Sequence, residues 1–271
     1  MKYRKIPDFT RWILCDKYVT KLYAQQNGFY IPHTYQLVKY PHQIDFNFKN
    51  GVIKPVDLCD SGGVYLIKNG KNMKTGQLVN QDKIVRELQK LRSEIRDEYY
   101  MHEEMYRGKV PWSGYMVEEL LLDSNGKLPY DYKCYVFGGK IYFTALTYDR
   151  KMVKGEQTFK SLWLDRYAQP IKYPMIKKGY QYRNFQKPKS YDKMVNLVEN
   201  MGRKLKRHCR IDVYLIGDKV YLGEFTFFCG ATLHTRLCNL KLGCKWLQNP
   251  DNYEYQDEEL KKLVPNFYNT S

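Results

Sequence analysis

The segment Arg210-Ile-Asp-Val-Tyr-Leu-Ile-Gly-Asp-Lys-Val-Tyr-Leu-Gly-Glu-Phe-Thr226 carries the residues best suited to chemistry. Two apolar, strand-like runs flank the turn dipeptide Gly217-Asp218, the pattern of a β-hairpin. Each run holds one carboxylate among apolar and aromatic neighbours: Asp212 on the first, Glu224 on the second. A carboxylate in a half-buried strand is costly unless a cation neutralises it. Two of them beside Arg210 suit a hard divalent cation with oxygen ligands, with Mg²⁺ carrying phosphates the natural candidate. The bland alternative is two acids on the solvent face of a hairpin, and the hairpin alone does not separate the two readings.

Register decides whether both acids can reach one ion, because side chains alternate faces with period two. A two-residue turn at Gly217-Asp218 sets Ile216 opposite Lys219 and Asp212 opposite Gly223, which sends Glu224 to the other face. A three-residue loop, 217–219, sets Asp212 opposite Glu224, with Cβ atoms about 4.5–5.5 Å apart. The local turn chemistry favours the shorter loop. A shared metal site requires the longer one or a compensating bulge, and the expectation here is the register in which the two acids face each other.

The elements that must position these residues follow in chain order. Asp16 to Gly28 reads as a short helix, capped by Asp16 and stopped by Gly28. Gly51–Pro55 and Val64–Lys68 read as short strands around a small-residue loop. In that loop Ser61, Gly62 and Gly63 can offer backbone N–H groups to phosphate oxygens. Lys54, at the end of the first strand, can place a point charge on the same phosphates. Neither a Walker A loop nor a G-x-G-x-x-G fingerprint is present, and on the loop alone a plain turn is the better reading.

Ile84, Leu88, Leu91, Ile95 and Tyr99 recur at helical spacing over 83–105. Glu118 and Glu119 lie in an apolar strand spanning 114–122, where paired acids make sense against a nucleobase amine. Residues 129–148 form a hairpin turning at Gly138-Gly139, with Asp131 and Lys133 on one face. Residues 151–190, Lys-rich and broken by prolines, read as a loop. A helix over about 191–207 has a basic last turn that suits its dipole. His234, Cys238 and Cys244 lack four-ligand metal spacing and read as packed thiols near a histidine.

The composition bounds the partners. Lys and Arg number 45 against 29 Asp and Glu, a formal charge of +16 over 271 residues, which points to an anionic partner. Seven Cys with no C-x-x-C pair fit reduced thiols in a cytoplasm-like compartment. No apolar stretch follows the basic N-terminus and no run of 18 apolar residues occurs, so neither a signal peptide nor a transmembrane span is expected.

Together these pieces resemble the ATP-grasp superfamily, and most closely its teichuronopeptide-biosynthesis (TupA-like) branch. The matching stretches are Val52-Ile-Lys-Pro55, Ser61-Gly-Gly-Val64, Val117-Glu-Glu-Leu120, Asp131 through Lys140, Asp149-Arg150, Arg210-Ile-Asp-Val-Tyr214 and Gly223-Glu-Phe-Thr226. They occur in family order over about residues 16–230. The resemblance implies an α+β fold in which two lobes with antiparallel sheets clasp ATP. It implies an N-terminal segment over 1–50, a small nucleotide-binding lobe over 51–119, a metal-binding lobe over 120–245 and a tail over 246–271. It assigns Lys54 and Ser61–Gly63 to the phosphates, Glu118, Glu119 and Leu120 to adenine, Lys133 to the nucleotide, and Asp212, Glu224 and Thr226 to Mg²⁺. Thr226 stands where the superfamily commonly has Asn. Val56-Asp-Leu-Cys-Asp60 stands where relatives often carry Asn-His-Gly, and Asp57 or Asp60 beside a triphosphate would repel it unless a cation intervenes.

The implied activity is ATP-dependent ligation of a carboxylate to an amine through an acyl phosphate, with Arg150 and Arg210 offsetting phosphate charge. The basic charge suits an anionic acceptor, a uronate polymer or acidic peptide, in surface polysaccharide or glycopeptide synthesis. A kinase acting on a hydroxyl is the alternative within the fold. A basic nucleic-acid-binding or catalytically degenerate protein is the alternative outside it, and nucleic acid is the weaker partner reading.

Overall fold

The computed structural model describes residues 9–58, 62–106, 114–153, 156–227, 233–252, 255 and 257–263. The chain divides into two compact units, one of residues 1–19, 32–121 and 264–271 and the other of residues 20–31 and 122–263. Among the described residues no helix is long and apolar enough to cross a membrane.

Helices α1 (Phe9–Cys15) and α2 (Lys17–Gln26) open the chain. Asp16 caps α2, its Oδ1 accepting from the N–H groups of Tyr18 at 2.7 Å and Val19 at 2.9 Å. Gly28, just past the helix, sits at φ +83°, where an L side chain is strained.

The first unit is built on a five-stranded antiparallel sheet in the order β1-β5-β2-β3-β4, from β1 (Thr34–Val38), β2 (Gly51–Pro55), β3 (Tyr65–Lys68), β4 (Lys71–Asn72) and β5 (Tyr115–Glu118). Helix α3 (Gln81–Tyr106) sets Ile84 and Leu88 against Ile53, Ile67, Tyr115 and Val117. Ile53 pairs with Val117 on that apolar side. The neighbouring pairs, Val52 with Glu118 and Lys54 with Met116, therefore share the opposite face.

The second unit holds a five-stranded antiparallel sheet in the order β10-β9-β6-β7-β8. Its strands are β6 (Asp131–Phe137), β7 (Lys140–Val153), β8 (Glu156–Leu164), β9 (Cys209–Ile216) and β10 (Lys219–Thr226). The β6–β7 turn has positive φ at both Gly138 and Gly139, as a type I′ hairpin requires. Helix α4 (Tyr191–Leu205) buries Met194, Val195, Val198, Met201 and Leu205. It covers the sheet face of Tyr132, Cys134, Val136, Ile211 and Val213. Gly202 is needed there, because a Cβ would lie 2.5 Å from Val136 Cγ1.

Residues 151–190 are not one loop. Strand β7 runs to Val153 and β8 follows as an edge strand paired to it. Its polar start, Glu156-Gln-Thr158, and the Lys-rich segments on either side of it hide the strand from a composition-based reading. Helices α5 (Arg236–Gln248) and α6 (Glu258–Leu263) complete the unit.

The β9–β10 turn is the two-residue form. Lys219 pairs with Ile216, so the three-residue loop is not used. Gly217 takes φ +61° at the first turn position, which a type II′ hairpin asks of glycine. The ladder then slips between Leu222 and Glu224. Leu222 opposes Val213, Gly223 is the extra residue, and Glu224 opposes Asp212. The turn keeps its preferred geometry and a bulge restores the facing acids.

Candidate active site

The face of the second sheet turned away from α4 is apolar at one end and charged at the other. At the apolar end Tyr135 stacks on Trp163, ring centroids 5.2 Å apart, and its hydroxyl lies 3.0 Å from His234 Nε2. Cys238 is fully buried in the same cluster. Cys244 is exposed. Among the described residues no cluster of three or more His, Cys, Asp or Glu side chains is fit to hold a metal.

At the charged end, strand pairing sets Lys133, Asp212 and Glu224 in one row and Tyr135, Arg210 and Thr226 in the next. Arg210 joins the rows. Its Nε donates to Asp212 Oδ1 at 2.6 Å, and its Nη2 donates to Asp212 Oδ2 at 2.8 Å, Glu224 Oε1 at 2.9 Å and Thr226 Oγ1 at 3.0 Å. Thr226 Oγ1 also donates to Glu224 Oε1 at 3.3 Å. Lys133 donates to the same Asp212 oxygen, Oδ2, that Arg210 Nη2 reaches, and lies 2.9 Å from Asp131 Oδ2. Arg150 pairs with the same Asp131 oxygen.

Asp212 is 2% exposed. Burial pushes its carboxyl up, but Lys133 and Arg210 hold it below the usual range. Burial works against the charge on Lys133 too, and Asp212 and Asp131 keep it protonated to higher pH than an ordinary lysine. The other oxygen of Asp131, Oδ1, is buried and has no hydrogen-bond partner.

This donor set fits a hard cation. Carboxylate and hydroxyl oxygens from Asp212, Glu224 and Thr226 converge on one cationic nitrogen, Arg210 Nη2, and oxygen-only ligation is what Mg²⁺ takes.

In the first unit Lys54, with its side chain 15% exposed, forms an ion pair with Glu118, whose side chain is 6% exposed. The lysine expected at phosphates and the acid expected at adenine are thus partners. The backbone N–H of Glu119 donates to His33 O at 2.8 Å, and its Oε2 accepts from His33 N at 3.1 Å. Leu120 is buried. Gly62 and Gly63 form the turn that leads into β3, and Gly63 has φ +69°. A Cβ at Gly63 would meet Leu88 and Leu91 at 2.9 Å, so this glycine is required for packing on α3 as well as for an open loop. Ser61 and Asp60 lie outside the described residues. Asp57 is held by Arg92 through two bonds of 2.6 and 2.7 Å, so its charge is already countered.

Sequence reasoning placed Asp131 beside Lys133 but gave it no role, and it missed the Arg92 partner of Asp57. A strand and a distant helix supply these contacts, and no local pattern announces them.

Two antiparallel sheets with helices, the second carrying facing acids on a glycine-bulged hairpin, define an α+β protein of the ATP-grasp fold. The model of the TupA-like ATP-grasp family matches residues 1–242, and the chain belongs to that family. No curated protein matches the sequence. Among solved structures the chain is similar to a D-alanine–D-alanine ligase from Bacillus anthracis, at 15% identity and TM-score 0.45, covering 94% of this chain and 67% of that one. It is also similar to a D-cycloserine synthetase at 12% identity and TM-score 0.47, covering 88% and 71%. A third is the N5-carboxyaminoimidazole ribonucleotide synthetase from Thermus thermophilus, at 11% identity and TM-score 0.44, where the chain spans 45% of the solved protein and 79% of itself is covered.

Proposed function

We propose that the protein is an ADP-forming carboxylate–amine ligase acting in the cytoplasm on an anionic acceptor, a uronate polymer or acidic peptide, in surface polysaccharide or glycopeptide synthesis. The observation that carries this reading is the convergence of Asp212, Glu224 and Thr226 oxygens on one cationic nitrogen, beside a second, half-buried cation, Lys133. The formal charge of +16 supports the anionic acceptor.

In the proposed reaction an acceptor carboxylate oxygen attacks the γ-phosphorus of ATP. The bond from that phosphorus to the β–γ bridging oxygen breaks, and ADP leaves. An amine nitrogen then attacks the acyl carbon, inorganic phosphate departs, and the amine loses a proton to give the amide. Phosphoryl transfer of this kind needs positioning and charge neutralisation more than covalent help.

Asp212, Glu224 and Thr226 would hold Mg²⁺, which when bound neutralises phosphate charge. Lys54 and the Ser61–Gly63 loop bind the phosphates. The strand end Glu118–Leu120 receives adenine; with the Glu119 N–H engaged by His33, the neighbouring backbone groups make the contact. Lys133, Arg150 and Arg210 orient the transferred group and offset its charge.

The test is a thermal shift with Mg²⁺ and a non-hydrolysable ATP analogue, followed by an assay of ADP release. A ligand at 100 times its Kd adds about 2.7 kcal/mol of stability, so the wild-type melting temperature rises. Lys54→Ala loses most of that rise, and unchanged affinity in this variant removes Lys54 from the phosphate site. ADP release that needs both carboxylate and amine supports the ligase. Release with a hydroxyl acceptor alone, leaving a stable phospho-product, replaces it with the kinase.

A further inference from the structure

Arg210 occupies the point where a cation would meet Asp212, Glu224 and Thr226. Four of its N–H···O contacts, between 2.6 and 3.0 Å, are spent on that set. The charges around it are matched: Asp131, Asp212 and Glu224 face Lys133, Arg150 and Arg210. A bare divalent ion entering this face would add positive charge beside Arg210 and Lys133 and displace strong hydrogen bonds.

Arg210 cannot yield by losing a proton, because a guanidinium stays charged throughout the accessible pH range. It can yield to a better anionic partner. A phosphate accepts the guanidinium fork in two parallel bonds, as a carboxylate does. The set opens on the Glu224 side, whose side chain is 45% exposed, while Asp212 at 3% is also held by Lys133 and keeps its place and charge when Arg210 departs.

We propose that Arg210 is a resident counter-cation that bars a bare divalent ion from the Asp212–Glu224–Thr226 set. The cation is admitted only with a polyphosphate, which draws Arg210 off the carboxylates. Metal loading is thereby tied to nucleotide binding. The polyphosphate's identity as a nucleotide rests on the ligase reading above.

The experiment titrates Mn²⁺, a probe of the same oxygen sites, into the full-length protein and follows the free-ion signal by electron paramagnetic resonance. Wild type alone leaves Mn²⁺ free and binds it once the ATP analogue is added. Arg210→Ala binds Mn²⁺ without the analogue about tenfold or more tightly than wild type, the scale on which a close charge pair matters. Arg210→Lys keeps the charge, supplies fewer donors, and shifts in the same direction by less, which preserves the test if the alanine variant folds poorly. Adding Asp212→Asn to Arg210→Ala abolishes the gain. Bound analogue with Mn²⁺ affinity unchanged in both Arg210 variants overturns this inference and leaves the ligase reading standing. Analogue binding to no variant, read separately by thermal shift, overturns both.

Discussion

Asp16 in the first unit and Asp212 in the second are about equally buried, at 3% and 2% exposed, and they respond to burial in opposite ways. Asp16 accepts two backbone N–H bonds at the start of α2, yet desolvation outweighs them and pushes its carboxyl up to about 6. Asp212 suffers the same desolvation but touches Lys133 and Arg210, and its carboxyl is held below the usual range. Backbone dipoles at a helix start offset only part of the cost of burying a charge, whereas two contacting cations more than offset it. An acid kept charged inside the protein is equipped to hold a metal or answer a phosphate. An acid on the edge of neutrality is equipped to cap the start of a helix.

The same substitution, aspartate to asparagine, should therefore change stability in opposite directions at the two sites. The larger effect belongs to Asp212→Asn. It leaves Lys133 and Arg210 facing an uncharged amide, and breaking a buried pair costs about 3–5 kcal/mol. Above the unfolded carboxyl value the ionised Asp212 contributes stability, and that contribution fades as pH falls through its lowered folded value. Denaturant unfolding at neutral pH should show the loss, and Mn²⁺ binding in the presence of the ATP analogue should vanish. A variant as stable as wild type would end the comparison.

Asp16→Asn should do the reverse. Between 3.8 and about 6 the folded state takes up a proton that the unfolded chain does not, so this group's contribution falls as pH rises through that window and is level above it. Asparagine still accepts the Tyr18 and Val19 N–H groups and buries no charge. The variant should be about 1–2 kcal/mol more stable than wild type at neutral pH, and it should lack the slope between about pH 4 and 6. Denaturant midpoints taken across that range decide it; a variant that keeps the wild-type slope would assign it to another group.

How legible these features were in the sequence depended on range. The Asp16 cap, the Gly138-Gly139 and Gly217-Asp218 turns and the strands of both hairpins are local, and alternation or turn chemistry exposes them. Strand β8 was hidden by its polar start, Glu156-Gln-Thr158, and β1, Thr34-Tyr-Gln-Leu-Val38, by its polar content. Helix α5 was missed because Arg236–Gln248 mixes Leu, Cys and Lys around its circumference with only Cys238 buried. At the candidate site, Asp212, Glu224 and Arg210 stood out as charges in apolar strands. The contact of Asp212 with Lys133 crosses 79 positions of sequence, and the pairing of Lys54 with Glu118 crosses a strand register. Neither follows from periodicity.

The smallest expected effect comes from deleting Gly223, and it separates register from local shape. Asp212 differs from Asp16 because it faces Lys133 and Arg210, and Glu224 joins that charged row because it opposes Asp212. Gly223 is the extra residue that makes this happen after a two-residue turn. A bulge sets two residues against one, so removing one of the two leaves a regular ladder in which Leu222 still faces Val213 and the glutamate still faces Asp212. The local twist relaxes, but the facing acids stay. Gly223 also packs closely, since a Cβ there would lie 3.1 Å from Asp212 O, so deletion tests the register without adding a side chain to that space. Mn²⁺ affinity in the presence of the ATP analogue should stay within about threefold of wild type, less than about 1 kcal/mol. A loss as complete as that of Asp212→Asn would mean that the kink at Gly223, and not the pairing it restores, aims Glu224 at the site.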